Sequence, residues 1–345
     1  MKLLVPLVFL IFVPLADAKA ADSLGQLTVP TAKTDLLVGR LKISVPIVGK
    51  VQPVQHGIMA APEADSEQTR VLIDAGEQRM VLMVDELFAR AATNFEGEAQ
   101  KAAARFPMKV NLKKWPLAAP LRAIAYFPVV PTKNEEANFV MGVFVAGPDG
   151  SVLNLVWYVN PAAAAQFSTV ATLAESMAGT IVSGTRALDS TSGVRELSAN
   201  SKTKSVFVTV PEGYVVTAQR GPDFIVHHIH KVTVFGDEEA TLGIYLGDHP
   251  SPNREGFSDQ GMGNLFGKRV PWYQKVTDEN GSRTIMAGAV VSLGPSLFGY
   301  ALPGRGDGPS YADVFLAASE ASIVEELKSI AMSLRIGARN TKERN

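Results

Sequence analysis

The chain has no cysteine in 345 residues, which excludes disulfides, thiolate nucleophiles, zinc ribbons and iron–sulfur clusters. Its stability must come from ordinary apolar cores. Charge of one sign is also lacking, with 33 basic against 34 acidic side chains. A balance of that kind offers no basic face for nucleic acid. Long apolar runs are scarce as well. The one at the start, Leu3 to Leu15, is about 13 residues with Pro6 and Pro14 inside it, where a membrane-spanning helix needs roughly 20. Hydrolytic signatures are wanting too. Gly-x-Ser-x-Gly, His-Glu-x-x-His and Ser-x-x-Lys do not stand beside a plausible base. Gly304-Arg305-Gly306-Asp307-Gly308-Pro309 has the wrong spacing for a phosphate loop and reads as a connector whose Pro309-Ser310 starts a helix. Neighbouring acids such as Glu135-Glu136, Glu238-Glu239 and Glu325-Glu326 point apart and serve solubility rather than acid–base chemistry.

What is present begins with an export pattern. Lys2, the short apolar stretch and the small-residue steps Ala16-Asp17-Ala18 and Ala18-Lys19-Ala20 make residues 1–20 a cleavable secretory leader, which implies a periplasmic or secreted protein. Removing Lys2, Lys19 and Asp17 leaves 31 basic and 33 acidic residues, a net charge near −2. The remaining length favours two domains. The polar stretch from Leu188 to Ser205 separates two apolar-rich halves and reads as a linker. The division is then a first domain over 21–187, a linker over 188–204, a second domain over 205–337 and a polar tail over 338–345.

A weak internal duplication supports that cut. Leu41-Lys42-Ile43-Ser44-Val45-Pro46 matches Val206-Phe207-Val208-Thr209-Val210-Pro211, both alternating strands stopped by proline. Phe106 to Trp115 corresponds, with unequal spacing, to Phe266 to Trp272. Val140 to Val145 parallels Ile285 to Val290. A further apolar strand follows in each half, Val152 to Val159 and Leu297 to Leu302. Each half closes on an amphipathic helix, Ala171 to Ser183 with Leu173, Met177 and Ile181 on one face, and Ala321 to Ser333 with Ile323, Leu327, Ile330 and Leu334 on one face. The halves differ in a helical insertion near Glu86 to Arg105 and in a Gly/Pro/Asn-rich loop from Gly247 to Gly267.

The expected class is α+β: two tandem α/β sandwich domains, each an antiparallel sheet covered by a C-terminal helix. The strand ending in Val210-Pro211-Glu212-Gly213-Tyr214, the Trp272 loop and the helix Ser322 to Leu334, with weaker first copies at Val45-Pro46, Trp115 and Thr172 to Gly184, resemble the Mog1/PsbP-like fold. Two such units in an exported chain resemble the two-domain periplasmic immunity proteins that neutralise type VI lipase effectors. The chain departs from that family in having no lipoprotein cysteine. The resemblance implies a non-enzymatic role in holding another protein of the envelope, or one entering it.

Two local constellations bear on chemistry. Four of the five histidines fall within His227–His249, and in a strand His228 and His230 share a face. With His249 returned by the next strand they would form a zinc, copper or nickel site; solvated histidines on a half-exposed strand are the alternative. Asp248 is a candidate substitute ligand. No other cofactor motif is present. Trp272-Tyr273, beside the glycine-rich Gly261 to Gly267, offers flat rings to a partner, or a core plug at a sheet edge.

Overall fold

The computed structural model describes residues 31–46, 52–55, 68–75, 78–91, 94–104, 109–129, 138–159, 167–199, 201–221, 224–234, 240–250, 254–279, 282–294, 300–302, 305–306 and 308–339. The leader over 1–20, Phe106, the Glu135-Glu136 and Glu238-Glu239 pairs, and most of the tail lie outside the described residues. Among the described residues no helix is long and apolar enough to cross a membrane. The architecture is sheet-rich α+β.

The first half opens on β1 (Thr31–Leu36) and β2 (Leu41–Pro46). Leu41, Ile43 and Val45 are buried and Lys42 and Ser44 are not, the period-two pattern of a strand with one face on a core. There follow β3 (Gln52–Gln55), β4 (Gln68–Ala75), β5 (Gln78–Arg90), helix α1 (Phe95–Ala103), β6 (Val110–Trp115), β7 (Arg122–Pro128), β8 (Asn138–Ala146) and β9 (Ser151–Val159). Helix α2 (Phe167–Ala178) and β10 (Val182–Ser183) end this half. The second half repeats the plan. It contains β11 (Gly193–Leu197), β12 (Lys204–Val210), β13 (Tyr214–Arg220), β14 (Ile225–Lys231), a short β15 (Thr233–Val234), β16 (Thr241–Gly247), β17 (Ser258–Leu265), β18 (Lys268–Glu279) and β19 (Ser282–Ser292). A ribbon of β20 (Tyr300–Leu302) and β21 (Arg305–Gly306) precedes β22 (Tyr311–Ala318), helix α3 (Ala321–Met332) and β23 (Arg335–Ala338).

The large sheets run β3-β4-β5-β9-β8-β7-β6 and β13-β14-β16-β22-β19-β18-β17. Counted along the chain, both have the order 1-2-3-7-6-5-4. The small sheets agree as well, since β1-β2-β10 and β11-β12-β23 each place the strand after the closing helix beside the half's second strand. The Val-Pro strands that matched in sequence, β2 and β12, are the middle strands of these small sheets, and β8 and β19 occupy the same place in the large ones.

Each core fills the gap between a large sheet and a layer made of the small sheet plus one helix. Val170, Ala174, Met177 and Ala178 of α2 meet Leu41, Ile43, Leu82 and Trp157. Val324, Leu327, Ile330 and Ala331 of α3 meet Val206, Val208, Ile244 and Leu316. The three-to-four spacing of these residues is why each segment is a helix with one apolar face. Lys231 on β14 pairs with Glu326 on α3 at 2.8 Å.

Several expectations need correction. The counterpart of β9 is β22, not Leu297 to Leu302, of which only 300–302 is described, as half of a small ribbon. β22 escaped notice because an alanine-rich strand containing Asp313 has a weak apolar signal, although Ala312, Val314, Leu316 and Ala318 all face the core. Pro309-Ser310 therefore leads into a strand, and the helix begins at Ala321. The polar stretch read as linker contains β11, which pairs with β12 from Gly193↔Val210 to Leu197↔Val206. In the region read as a helical insertion, β5 continues to Arg90 before α1 begins. Trp115 lies in β6 and Trp272 in β18, which occupy different places in the two sheets, so that sequence match does not correspond structurally.

One cross-strand row shows how closely the sheets correspond. Tyr126, Gly142, Val156 and Met83 lie opposite one another across β7, β8, β9 and β5. Tyr273, Gly288, Phe315 and Gly243 do so across β18, β19, β22 and β16. Gly142 lies directly beneath the Tyr126 ring, where a Cβ would collide with it, and Tyr126 donates a 2.7 Å hydrogen bond to Asn154. Overpacking of this kind costs about 1–3 kcal/mol. Gly142→Ala should therefore lower the urea midpoint measurably, and an unchanged midpoint would mean that the Tyr126 ring does not sit there.

Candidate functional site

The histidine strand is organised by its alternation. His227 faces inward, is buried, and lies with Nε2 2.8 Å from the Ser198 carbonyl oxygen. His228 and His230 share the opposite face, as their spacing predicts, with ring centroids 5.7 Å apart at 89°. His249 does not join them. His228 pairs with Gly243, and from there the chain runs through the rest of β16, by roughly 13 Å at the usual strand rise, before His249 follows in an exposed turn. Among the described residues no group of three or more His, Cys, Asp or Glu side chains could hold a metal ion. The separation is the physical obstacle, because antiparallel return carries His249 past the far end of β14.

His230 instead takes part in the contact between the halves. Its ring stacks on Phe88 with centroids 3.8 Å apart and planes 3° from parallel. Thr217 Oγ1 and Thr241 Oγ1 lie at 3.4 and 3.3 Å from its ring nitrogens. Phe88 reaches it from the end of β5, where the register with β9 shifts between Glu86 and Arg90 and the Phe88 backbone takes φ 47°. That is a costly conformation for a bulky residue. It is held by Glu86, whose Oε1 accepts a 3.1 Å hydrogen bond from the Phe88 N–H. Beyond the shift, β15 pairs with β5 in parallel, Thr233↔Ala89 and Val234↔Arg90, so a strand of the second half extends the first sheet.

Behind Phe88 the Glu86 carboxylate forms an ion pair with Arg40, both side chains largely buried. This pair, with Phe88, Leu188, Val215 and Thr217, lines a cavity of about 30 Å³. That is the room of a single water, far below the several hundred cubic ångströms of a pocket for a drug-sized ligand. Asp149 ties the connecting segment to this junction, its Oδ2 accepting from Leu188 N–H at 3.0 Å. Burial pushes its carboxyl up, but hydrogen bonds from the Ser151 hydroxyl and from the Leu188 and Ser151 amides outweigh that and hold it below the ordinary carboxylate value.

The remaining candidates separate across the second sheet. Trp272 is only 5% exposed and lies against Gly263, where a Cβ would strike its indole; it packs into the core of the second half. The glycine-rich segment around it is no free loop but β17 and a tight turn with Phe266 at φ 52° and Gly267 at φ 75°. Tyr273 faces outward, with the Arg254 guanidinium 4.4 Å from its ring centroid. Arg254 also donates to the Gly288 carbonyl at 3.2 Å. Asp313 stands on the same face, its carboxyl pushed up by burial and partly pulled back by Arg254. Phe315, which sequence reasoning missed, projects from the centre of this face and is 45% exposed, its ring lying over Gly243. The signal was there: in Tyr311 to Ala318 the aromatic residues fall on the phase opposite Val314 and Leu316.

No family model matches the chain, and no curated protein matches it. Among solved structures, the Tle4-Tli4 complex aligns with 88% of this chain and 97% of that chain at 10% identity and a TM-score of 0.24. The apo T6SS immunity protein TplEi from Pseudomonas aeruginosa aligns with 89% and 97% at 10% identity and a TM-score of 0.23. The same protein complexed with "L" peptide gives 88%, 97%, 9% and 0.21. Likeness at these scores assigns neither fold nor role.

The stacked pair should couple energetically. In a double-mutant cycle of Phe88→Ala and His230→Ala, unfolding in urea should give a coupling of about 0.5–1.5 kcal/mol; additive losses would mean that the rings do not meet. For Asp149 the folded pKa is depressed, so its contribution is complete above the unfolded value and fades as pH falls through the folded one. Stability should decline from about pH 5 downward, and Asp149→Asn should flatten that decline in urea midpoints measured from pH 7 to pH 2.

Proposed function

We propose that the protein is an exported, non-enzymatic binding module built from two tandem Mog1/PsbP-like units, and that it works by holding another protein. The observation that carries this reading is the unequal treatment of two sheets with one topology. On the first, the outer face is closed by α1, whose Phe95, Ala99 and Ala103 pack on Ile124, Phe144, Val152, Tyr126 and Val156. On the second, among the described residues, no helix packs on the outer face: Arg254 lies over Tyr273, Met286 is half-buried, and Phe315 and Tyr311 are exposed. Apolar groups left on a surface that the same fold covers elsewhere mark a place for association.

Within that class, an effector-neutralising, immunity-type role in the periplasm is the reading that the Val210 to Tyr214 strand and the closing helices support by resemblance. Metal binding through His228 and His230 has no observation in its favour beyond their shared face.

The test uses the chain from Ala21 onward as bait in envelope extracts of the source cell, followed by size-exclusion chromatography and mass spectrometry. One partner recovered in near-equal amount is the expected outcome. Recovery of the bait alone, in extracts that contain both envelope proteins and incoming effectors, would sink the binding role.

A further inference from the structure

We propose that the hairpin of β6 and β7 docks on an anionic phospholipid surface, its apolar tip entering the headgroup layer while Lys113, Lys114 and Arg122 meet the lipid phosphates. This goes beyond the protein-binding reading and does not depend on it. The tip is Trp115-Pro116-Leu117-Ala118-Ala119-Pro120-Leu121, in which the Trp115 indole carries the only polar side-chain atom. Leu121 is buried, Trp115 and Leu117 are half-buried against the first core, and Pro116, Ala118, Ala119 and Pro120 are exposed. The turn closes on itself, with the Leu121 N–H donating to the Ala118 carbonyl at 3.2 Å. That pairing satisfies backbone groups that lipid could not.

Positive charge brackets the tip. Lys113 and Lys114 precede it on β6 and Arg122 follows it on β7, all three exposed. Successive strand residues point to opposite faces. Lys113 thus shares a face with Trp115, its Nζ 5.8 Å from the ring centroid. Lys114 shares the other face with Arg122, whose guanidinium lies 4.8 Å from the ring centroid of Phe95 on α1. Among the described residues none of the three forms an ion pair. From Val110 to Pro128 the hairpin has these three basic residues and no acidic one. Glu96, exposed beside Phe95, and Asp149, in the turn after β8, reach the same end of the sheet; Asp149 is committed to Ser151 and Leu188.

The second half serves as an internal control. Its matching hairpin, β17 with β18, passes from Leu265 to Lys268 through Phe266 and Gly267 alone, and both Leu265 and Phe266 are buried. From Ser258 to Glu279 it carries three basic and three acidic residues. The shared topology therefore requires neither an exposed apolar tip nor an excess of positive charge. Lysines on an edge strand guard it against pairing, but that role does not explain the apolar tip between them. An acidic protein segment would answer the lysines and leave the tip, whose exposed side chains offer no hydrogen bond, without a partner. A bilayer surface answers both, through apolar insertion and attraction to anionic headgroups. The basic side chains are long enough to lay their stems along the apolar layer and keep their charges at the phosphates. The exported chain as a whole has a net charge near −2, so its attraction to such a surface comes from this local excess.

The test uses the chain from Ala21 onward, which lacks the leader's own apolar stretch, in sedimentation with vesicles of phosphatidylglycerol and phosphatidylcholine in equal parts, and with phosphatidylcholine alone. The chain should sediment with the mixed vesicles only, and less so as salt rises. Trp115 stands at the tip whereas Trp157 and Trp272 are buried, so dibrominated phosphatidylcholine in the mixed vesicles should quench part of the tryptophan emission. Lys113→Gln combined with Lys114→Gln should weaken partitioning roughly thirtyfold. Lys33→Gln combined with Arg269→Gln, which removes two exposed charges elsewhere, should leave it within about twofold. Ala118→Glu should abolish the quenching and keep the parent's urea midpoint, because Ala118 is exposed. Failure to sediment with the mixed vesicles, equal losses in the two double variants, or undiminished quenching with Ala118→Glu would each overturn the proposal. Binding to polyglutamate without binding to vesicles would assign the edge to an acidic protein segment instead, and the lipid proposal would fall.

Discussion

A buried carboxylate constrains much of this molecule. Glu86 points from β5 toward the small sheet, and a lone charge in that position would be strongly unfavourable. Arg40, just before β2, answers it, which binds the small sheet to the large one at a fixed place. The same carboxylate accepts from the Phe88 amide and so supports the positive φ that turns the Phe88 ring outward. Through that ring the first half touches His230 of the second. Ion pair, backbone irregularity and contact between the halves thus form one connected arrangement. Pairing of this kind adds little net stability against an apolar replacement, but removing one partner alone leaves an uncompensated buried charge.

Two layouts that share a strand order have been finished differently. In the first, both faces of the large sheet are covered, one by α2 and the small sheet, the other by α1. In the second, the outer face is covered in part, by Phe88 over His230 and by Arg254 over Tyr273, and among the described residues no helix lies on it. Glycines mark the difference. Gly142 makes room for Tyr126, which then disappears under α1. Gly243 makes room for Phe315, which stays in contact with water. The first sheet thus buries apolar clusters on both faces, whereas the described outer face of the second leaves Phe315 partly in water.

How much of this was legible depended on whether the signal was local. The closing helices were readable because Met177 and Leu327 fall in three-to-four patterns, and β2 and β12 because alternation ends at a proline. The shared face of His228 and His230 follows from period two alone. The identity of β22 was hidden, since Ala312 and Ala318 are small enough to leave a weak pattern and Asp313 interrupts it. The contact of Phe88 with His230 joins residues far apart in the chain, and the only local hint is that Leu87-Phe88 breaks the alternation of β5. The position of His249 could not be read because it depends on how far β16 runs before it ends.

The small sheets have a consequence for how such a chain arises. In each half a strand from the beginning and the strand after the closing helix are hydrogen-bonded neighbours, β2 with β10 and β12 with β23. Entry and exit therefore meet at one seam. A unit closed in this way can be copied head to tail or spliced into a longer polypeptide without stretching its neighbours, and it can be opened at a surface turn and rejoined at the seam as a circular permutant.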